Sequence, residues 1–148
     1  MSKFILLFIF IGLFTQFYAS DKSKYLKVAK YTGEYKNSLY HGKGKLVFKN
    51  KSYYVGEFRN GMMDGKGKLT YYNGTIYIGD FIQDKRHGKG EYIFIKGGSY
   101  IGEYKNGKMD GKGIFLYANG DKYIGGFKDD LFHGDVTIIR TDGVKLIG

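Results

Sequence analysis

The sequence predicts an all-β fold: an antiparallel meander of tandem β-hairpins behind an N-terminal signal or anchor helix. Three observations carry this reading. Tyr31, Tyr54, Tyr77, Tyr100 and Tyr123 recur at intervals of 23 residues without a slip. Glycine follows each at a fixed offset, as Gly33, Gly56, Gly79, Gly102 and Gly125. Between these marks, aromatic and β-branched stretches alternate with turn signals, which suits strands joined by short loops.

The first element, residues 1–20, stands apart from the rest. Lys3 is followed by an apolar run from Phe4 to Phe14, shorter than the roughly 20 residues of a membrane-spanning helix. A short positive start, a short apolar stretch and then small residues is the pattern of a secretory signal peptide. Cleavage is expected after Ala19 or Ser20. Phe17 and Tyr18 sit where small residues are preferred, so an uncleaved signal anchor reaching Tyr18 is the alternative. Cleavage places the chain in the secretory pathway or outside the cell; retention anchors it to a membrane.

Residues 21–30 form a basic lead-in with Lys22, Lys24, Lys27 and Lys30. The formal net charge is +10, which favours acidic partners such as anionic lipid or acidic protein. A secretory route argues against nucleic acid. The sequence has no cysteine, which excludes disulfides, thiolate metal sites and cysteine nucleophiles together.

The array then fills residues 31–148, with units 31–53, 54–76, 77–99, 100–122 and 123–145 and a partial sixth at 146–148. In the second unit, "SYYVGEF" (52–58) reads as a strand, "RNGMMD" as a turn, and "GKGKLTYY" (65–72) as the return strand. "NG" at 73–74 turns the chain into the next unit. Period-2 alternation puts Tyr54, Gly56 and Phe58 on one face with Gly65, Gly67, Leu69 and Tyr71. The equivalents elsewhere are Tyr35, Phe81, Tyr104 and Phe127, with Gly88, Gly90, Gly111 and Gly113. Glycine weakens a strand, so its repetition implies that rings from neighbouring hairpins lie across it.

The opposite face carries acids, Glu34, Glu57, Asp80 and Glu103, and a lysine ladder, Lys43, Lys66, Lys89 and Lys112. Cross-strand pairing of the two sets is expected, leaving a solvated face or one that meets an acidic surface. These lysines are the candidate contacts for an acidic partner.

No catalytic constellation emerges, so an enzyme is not expected. His41, His87 and His133 share one repeat position with Asp64 and Asp110. Hairpins advance a sheet by roughly 10 Å, so neighbours in this column lie roughly 10 Å apart. Zinc ligands lie about 2 Å from their metal, so no metal or other cofactor is expected. "HGKG" lacks the spacing and helix of a phosphate-binding loop. Asn50-Lys51-Ser52 and Asn73-Gly74-Thr75 fit the N-glycosylation pattern, relevant only on a secretory route.

"YVGEFRNGMMDGKGKLTYYNG" (54–74) and "YIGEYKNGKMDGKGIFLYANG" (100–120) resemble MORN repeats. The family pattern, roughly Y-x-G-x-[YF]-x-N-G-x-x-x-G-x-G, stands in five consecutive copies. The resemblance implies an elongated, twisted sheet of stacked hairpins and a scaffold or adaptor that binds protein partners. It further implies that the chain oligomerises, as many members do, and offers anionic phospholipid headgroups as an alternative ligand. Departures fall at Ser38, at Gln83-Asp84, and at Gly126, Val136 and Arg140. The incomplete strand at Leu146–Gly148 leaves an edge for strand pairing.

Overall fold

The computed structural model describes residues 28–148. The expected signal or anchor segment and most of the basic lead-in lie outside the described residues. Eleven strands follow one another: β1 Val28–Lys36, β2 Leu39–Phe48, β3 Tyr53–Arg59, β4 Met62–Thr70, β5 Ile76–Ile82, β6 Lys85–Ile93, β7 Ser99–Lys105, β8 Lys108–Leu116, β9 Lys122–Lys128, β10 Leu131–Ile139 and β11 Lys145–Ile147. They form one open antiparallel sheet whose spatial order is the chain order. Among the described residues no helix is long and apolar enough to cross a membrane.

Each hairpin closes through two residues with positive φ: Asn37-Ser38, Asn60-Gly61, Gln83-Asp84, Asn106-Gly107 and Asp129-Asp130. This is the turn whose twist matches that of the flanking strands. It explains one departure from the sequence reading. Asn60-Gly61 suffices as the turn, so Met62 and Met63 already pair with Arg59 and Phe58. The return strand therefore begins at Met62, not Gly65.

The surplus is absorbed in a bulge. Register moves from Gly56–Gly67 to Phe58–Met63, leaving Glu57 opposite residues 64–66. Gly65 takes φ 111° there, a conformation that glycine adopts without a Cβ penalty. The Glu57 carboxylate fills the space its side chain would occupy and accepts the Lys66 N–H at 3.0 Å. Glu34, Asp80 and Glu103 do the same for Lys43, Lys89 and Lys112.

The second glycine of the pair serves a different purpose. A Cβ on Gly56 or Gly67 would strike the Tyr54 ring. The ring thus lies over its own hairpin rather than reaching in from a neighbour, as the sequence pattern had suggested. Its hydroxyl donates to the Glu57 carbonyl at 2.9 Å. The same bond recurs from Tyr31, Tyr77, Tyr100 and Tyr123 to the residue three further on.

Neighbouring hairpins then meet ring to ring. Tyr54 sits edge-on to Phe58 at 5.1 Å and to Phe81 of the next unit at 4.9 Å. Tyr77 continues the series to Phe81 and Tyr104, and Tyr100 to Tyr104 and Phe127. Edge-on ring pairs add about 0.5–1.5 kcal/mol each beyond burial. Tyr54, Tyr77 and Tyr100 are fully buried although the sheet has a single layer.

Candidate interaction surface

The face opposite the rings is uncovered among the described residues. Each of units two to five carries a β-branched residue directly after its tyrosine: Val55, Ile78, Ile101 and Ile124. All four are exposed, as is Ile114. Pairing across the sheet sets them in one row, Val55–Lys68–Ile78–Glu91–Ile101–Ile114–Ile124. The row is continuously apolar from Ile101 to Ile124, and Thr137 of β10 follows it. Its second half is the larger exposed apolar run on this face.

Lys43, Lys66, Lys89 and Lys112 stand in the adjacent row, all exposed. Their partners differ from the expected hairpin mates. Lys43, Lys66 and Lys89 face Glu57, Asp80 and Glu103 of the following unit, while Lys112 faces Gly126. Among the described residues, only Lys66 of the four forms an ion pair, with Asp80 at 2.5 Å. Burial alone would raise the Asp80 carboxyl. The Lys66 ammonium and the Lys89 N–H outweigh it and hold the group below the usual carboxylate range. A shallow depression between the two rows is lined by Lys89, Gly90, Ile101, Gly102, Glu103 and Lys112.

The histidine column stays dispersed. Asn106 N–H points to His87 Nδ1 at 3.5 Å, and Gln83 N–H to Asp64 Oδ2 at 3.4 Å. These side chains receive the turn of the next hairpin. Among the described residues no group of three or more His, Asp or Glu could hold a metal. The two glycosylation triplets are turns. Asn50 Oδ1 accepts the Ser52 N–H and Asn73 Oδ1 the Thr75 N–H, each at 3.0 Å. Ser52 and Thr75 are fully buried, and Ser52 Oγ accepts the Tyr72 N–H of the next turn at 2.9 Å.

Sequence reasoning missed two features. One is the apolar row, whose signal is a β-branched residue one place after each tyrosine. The other is how far the odd–even alternation of the His and Asp column extends into the turns and the ring face. Units two and four close with Asn-Gly and carry Met63 and Met109; units one, three and five carry Tyr40, Arg86 and Phe132 at that place. Asp84 and Asp130, in the turns of the odd units, accept the N–H of Met63 and Met109 at 2.8 Å. Arg86 lies among the rings of Tyr77, Tyr92 and Tyr104 at 5.2–5.7 Å, and donates to the Gly107 carbonyl. Three ring faces thus compensate the half-buried cation.

The family model for the MORN repeat matches residues 31–53, 54–76, 77–99, 100–122 and 123–134. The chain belongs to the MORN-repeat family. The ring, the paired glycines, the bulge glycine and the second aromatic described above account for most of the MORN signature. Among solved structures, the array is similar to the TCP domain of SAS-4 (dCPAP) from Drosophila melanogaster, in complex with a proline-rich motif of Ana2 (dSTIL). Identity is 18%, the TM-score is 0.47, and the match covers 73% of this chain and 59% of that one. No curated protein matches the chain.

Proposed function

We propose that this chain is a non-enzymatic interaction module whose open sheet face binds protein partners. Its MORN repeats suggest a repeat-based interaction module. The observation that carries the choice of face is the apolar row Ile78, Ile101, Ile114 and Ile124 beside the lysine ladder. A sheet normally buries its apolar face against another layer. The partner that suits these two rows has an apolar stripe flanked by carboxylates. Residues 1–20 support a secretory or membrane-anchored setting for this binding, which sequencing of the mature N-terminus decides.

The test is affinity capture with tagged full chain and with an Ile101→Ser/Ile124→Ser variant of unchanged fold. Wild type retains one or more specific partners and the variant loses them. Equal capture by both removes the face from consideration.

A second reading rests on the net charge of +10. On it, the lysines sit on anionic phospholipid headgroups, each basic residue near such a surface contributing about 1 kcal/mol. Vesicle flotation separates the two. Lipid binding requires recovery on acidic vesicles only, lost at high salt; equal recovery on neutral vesicles rejects it.

A further inference from the structure

The two ends of the sheet differ. Phe58, Phe81, Tyr104 and Phe127 are 1–3% exposed, whereas Tyr35, their counterpart in the first unit, is 59% exposed. The stacked cover of the repeat tyrosine is common to both ends, Tyr40 on Tyr31 at 3.9 Å and Phe132 on Tyr123 at 3.6 Å, so the difference lies in Tyr35. β1 has nine residues and pairs on one side with β2. Among the described residues its outer edge has no strand partner. Unpaired edges of this length recruit other strands unless they are protected.

The strand reads "VAKYTGEYK", and it is complementary to itself. We propose that two copies of the chain pair through their β1 edges, antiparallel about a twofold axis at Thr32. The axis sets Lys30 opposite Glu34 of the second copy, and by symmetry this pair occurs twice. The exposed Glu34 carboxylate lies over Gly42, with Oε1 on the Lys43 N–H, so the lysine of the second copy meets it from its solvent side. Tyr31 stays over its own Gly33 and Gly44, and the exposed Tyr35 ring falls opposite Ala29, a small residue at the bulge of β1. Tyr31 of one copy then lies diagonal to Tyr35 of the other, within reach for aromatic side chains.

Other registers are poorer. Moving the axis to Gly33 sets Lys30 against Lys36. Moving it to Tyr31 sets the two Tyr31 rings directly against each other and removes both ion pairs. Head-to-tail pairing of β1 with β11 is the competing arrangement, and a mixed crosslink distinguishes it. The Thr32 register gives a closed dimer, in which both open faces lie on the same side of one continuous sheet.

The chain has no cysteine, so a single introduced thiol is an unambiguous reporter. Opposed residues on antiparallel strands have Cα atoms about 4.5–5.5 Å apart, within disulfide range. Thr32→Cys in the full chain, mildly oxidised, is expected to give a covalent dimer. Lys36→Cys is not, because the two thiols would lie about 27 Å apart along the strands. Adding Lys30→Glu to Thr32→Cys turns two attractive pairs repulsive and is expected to lower the dimer yield about tenfold. Circular dichroism confirms that each variant is folded. The proposal is overturned if folded Thr32→Cys gives no dimer, or if Lys36→Cys crosslinks equally well. It is also overturned if Thr32→Cys crosslinks only when mixed with Ile147→Cys.

Discussion

The two faces of this sheet share a backbone and differ in what they specify. On one, Tyr54, Tyr77 and Tyr100 lie flat over paired glycines and are fully buried. On the other, Val55, Ile78, Ile101 and Ile124 occupy the neighbouring positions and are exposed. The family signature is written almost wholly on the ring face. That face needs no partner layer, because the rings cover their own hairpins. The open face carries the residues that the signature leaves free, and there one array can differ from another.

The sharpest break in this contrast is Tyr77→Ala. It empties the centre of the ring series and should cost about 3–5 kcal/mol, read as a loss of thermal stability. Tyr77→Phe keeps the ring and loses only the bond to the Asp80 carbonyl, for about 1 kcal/mol. Gly67→Ala comes next. Its Cβ enters the Tyr54 ring, and overpacking of this kind costs about 1–3 kcal/mol; denaturant titration measures it.

A smaller effect concerns pH. Burial pushes the Asp84 and Asp130 carboxyls up, so the folded chain holds these protons more tightly than the unfolded chain. Their stabilisation is fully present below the ordinary carboxyl range and is lost as pH rises through the folded values. Asp80 is held down, and its contribution is lost as pH falls. Asp84→Asn with Asp130→Asn keeps an acceptor for Met63 and Met109 and should flatten the fall in stability just above the ordinary carboxyl range. An unchanged melting profile between acid and neutral pH would count against a raised titration of these two carboxyls. The smallest effect on stability is expected from Ile101→Ser, within about 0.5 kcal/mol. A drop of several kcal/mol on thermal melting would mean that the open face is covered within the chain.

The fold was legible because one unit repeats five times, and Tyr31 to Tyr123 mark every period. Strand ends were less so. Glu57 absorbs three residues of the facing strand, and no local propensity announces where a bulge falls. The glycines were recognised but their roles were not separated, Gly65 serving the bulge and Gly67 the ring. Lys66 and Asp80 were both named, yet their pairing depends on which unit each strand faces. Ile101 and Ile124 went unread because a β-branched residue in a strand already has an ordinary reason to be there.

The strand order matches the chain order from β1 to β11. No strand therefore waits for a distant segment, and loop-closure cost stays small at every step. Such a chain can complete one hairpin for each 23 residues made, laying it on the last while the rest is still being synthesised. Assembly on this route needs no finished C-terminus, and a ribosome that stalls midway leaves a shorter sheet of the same design.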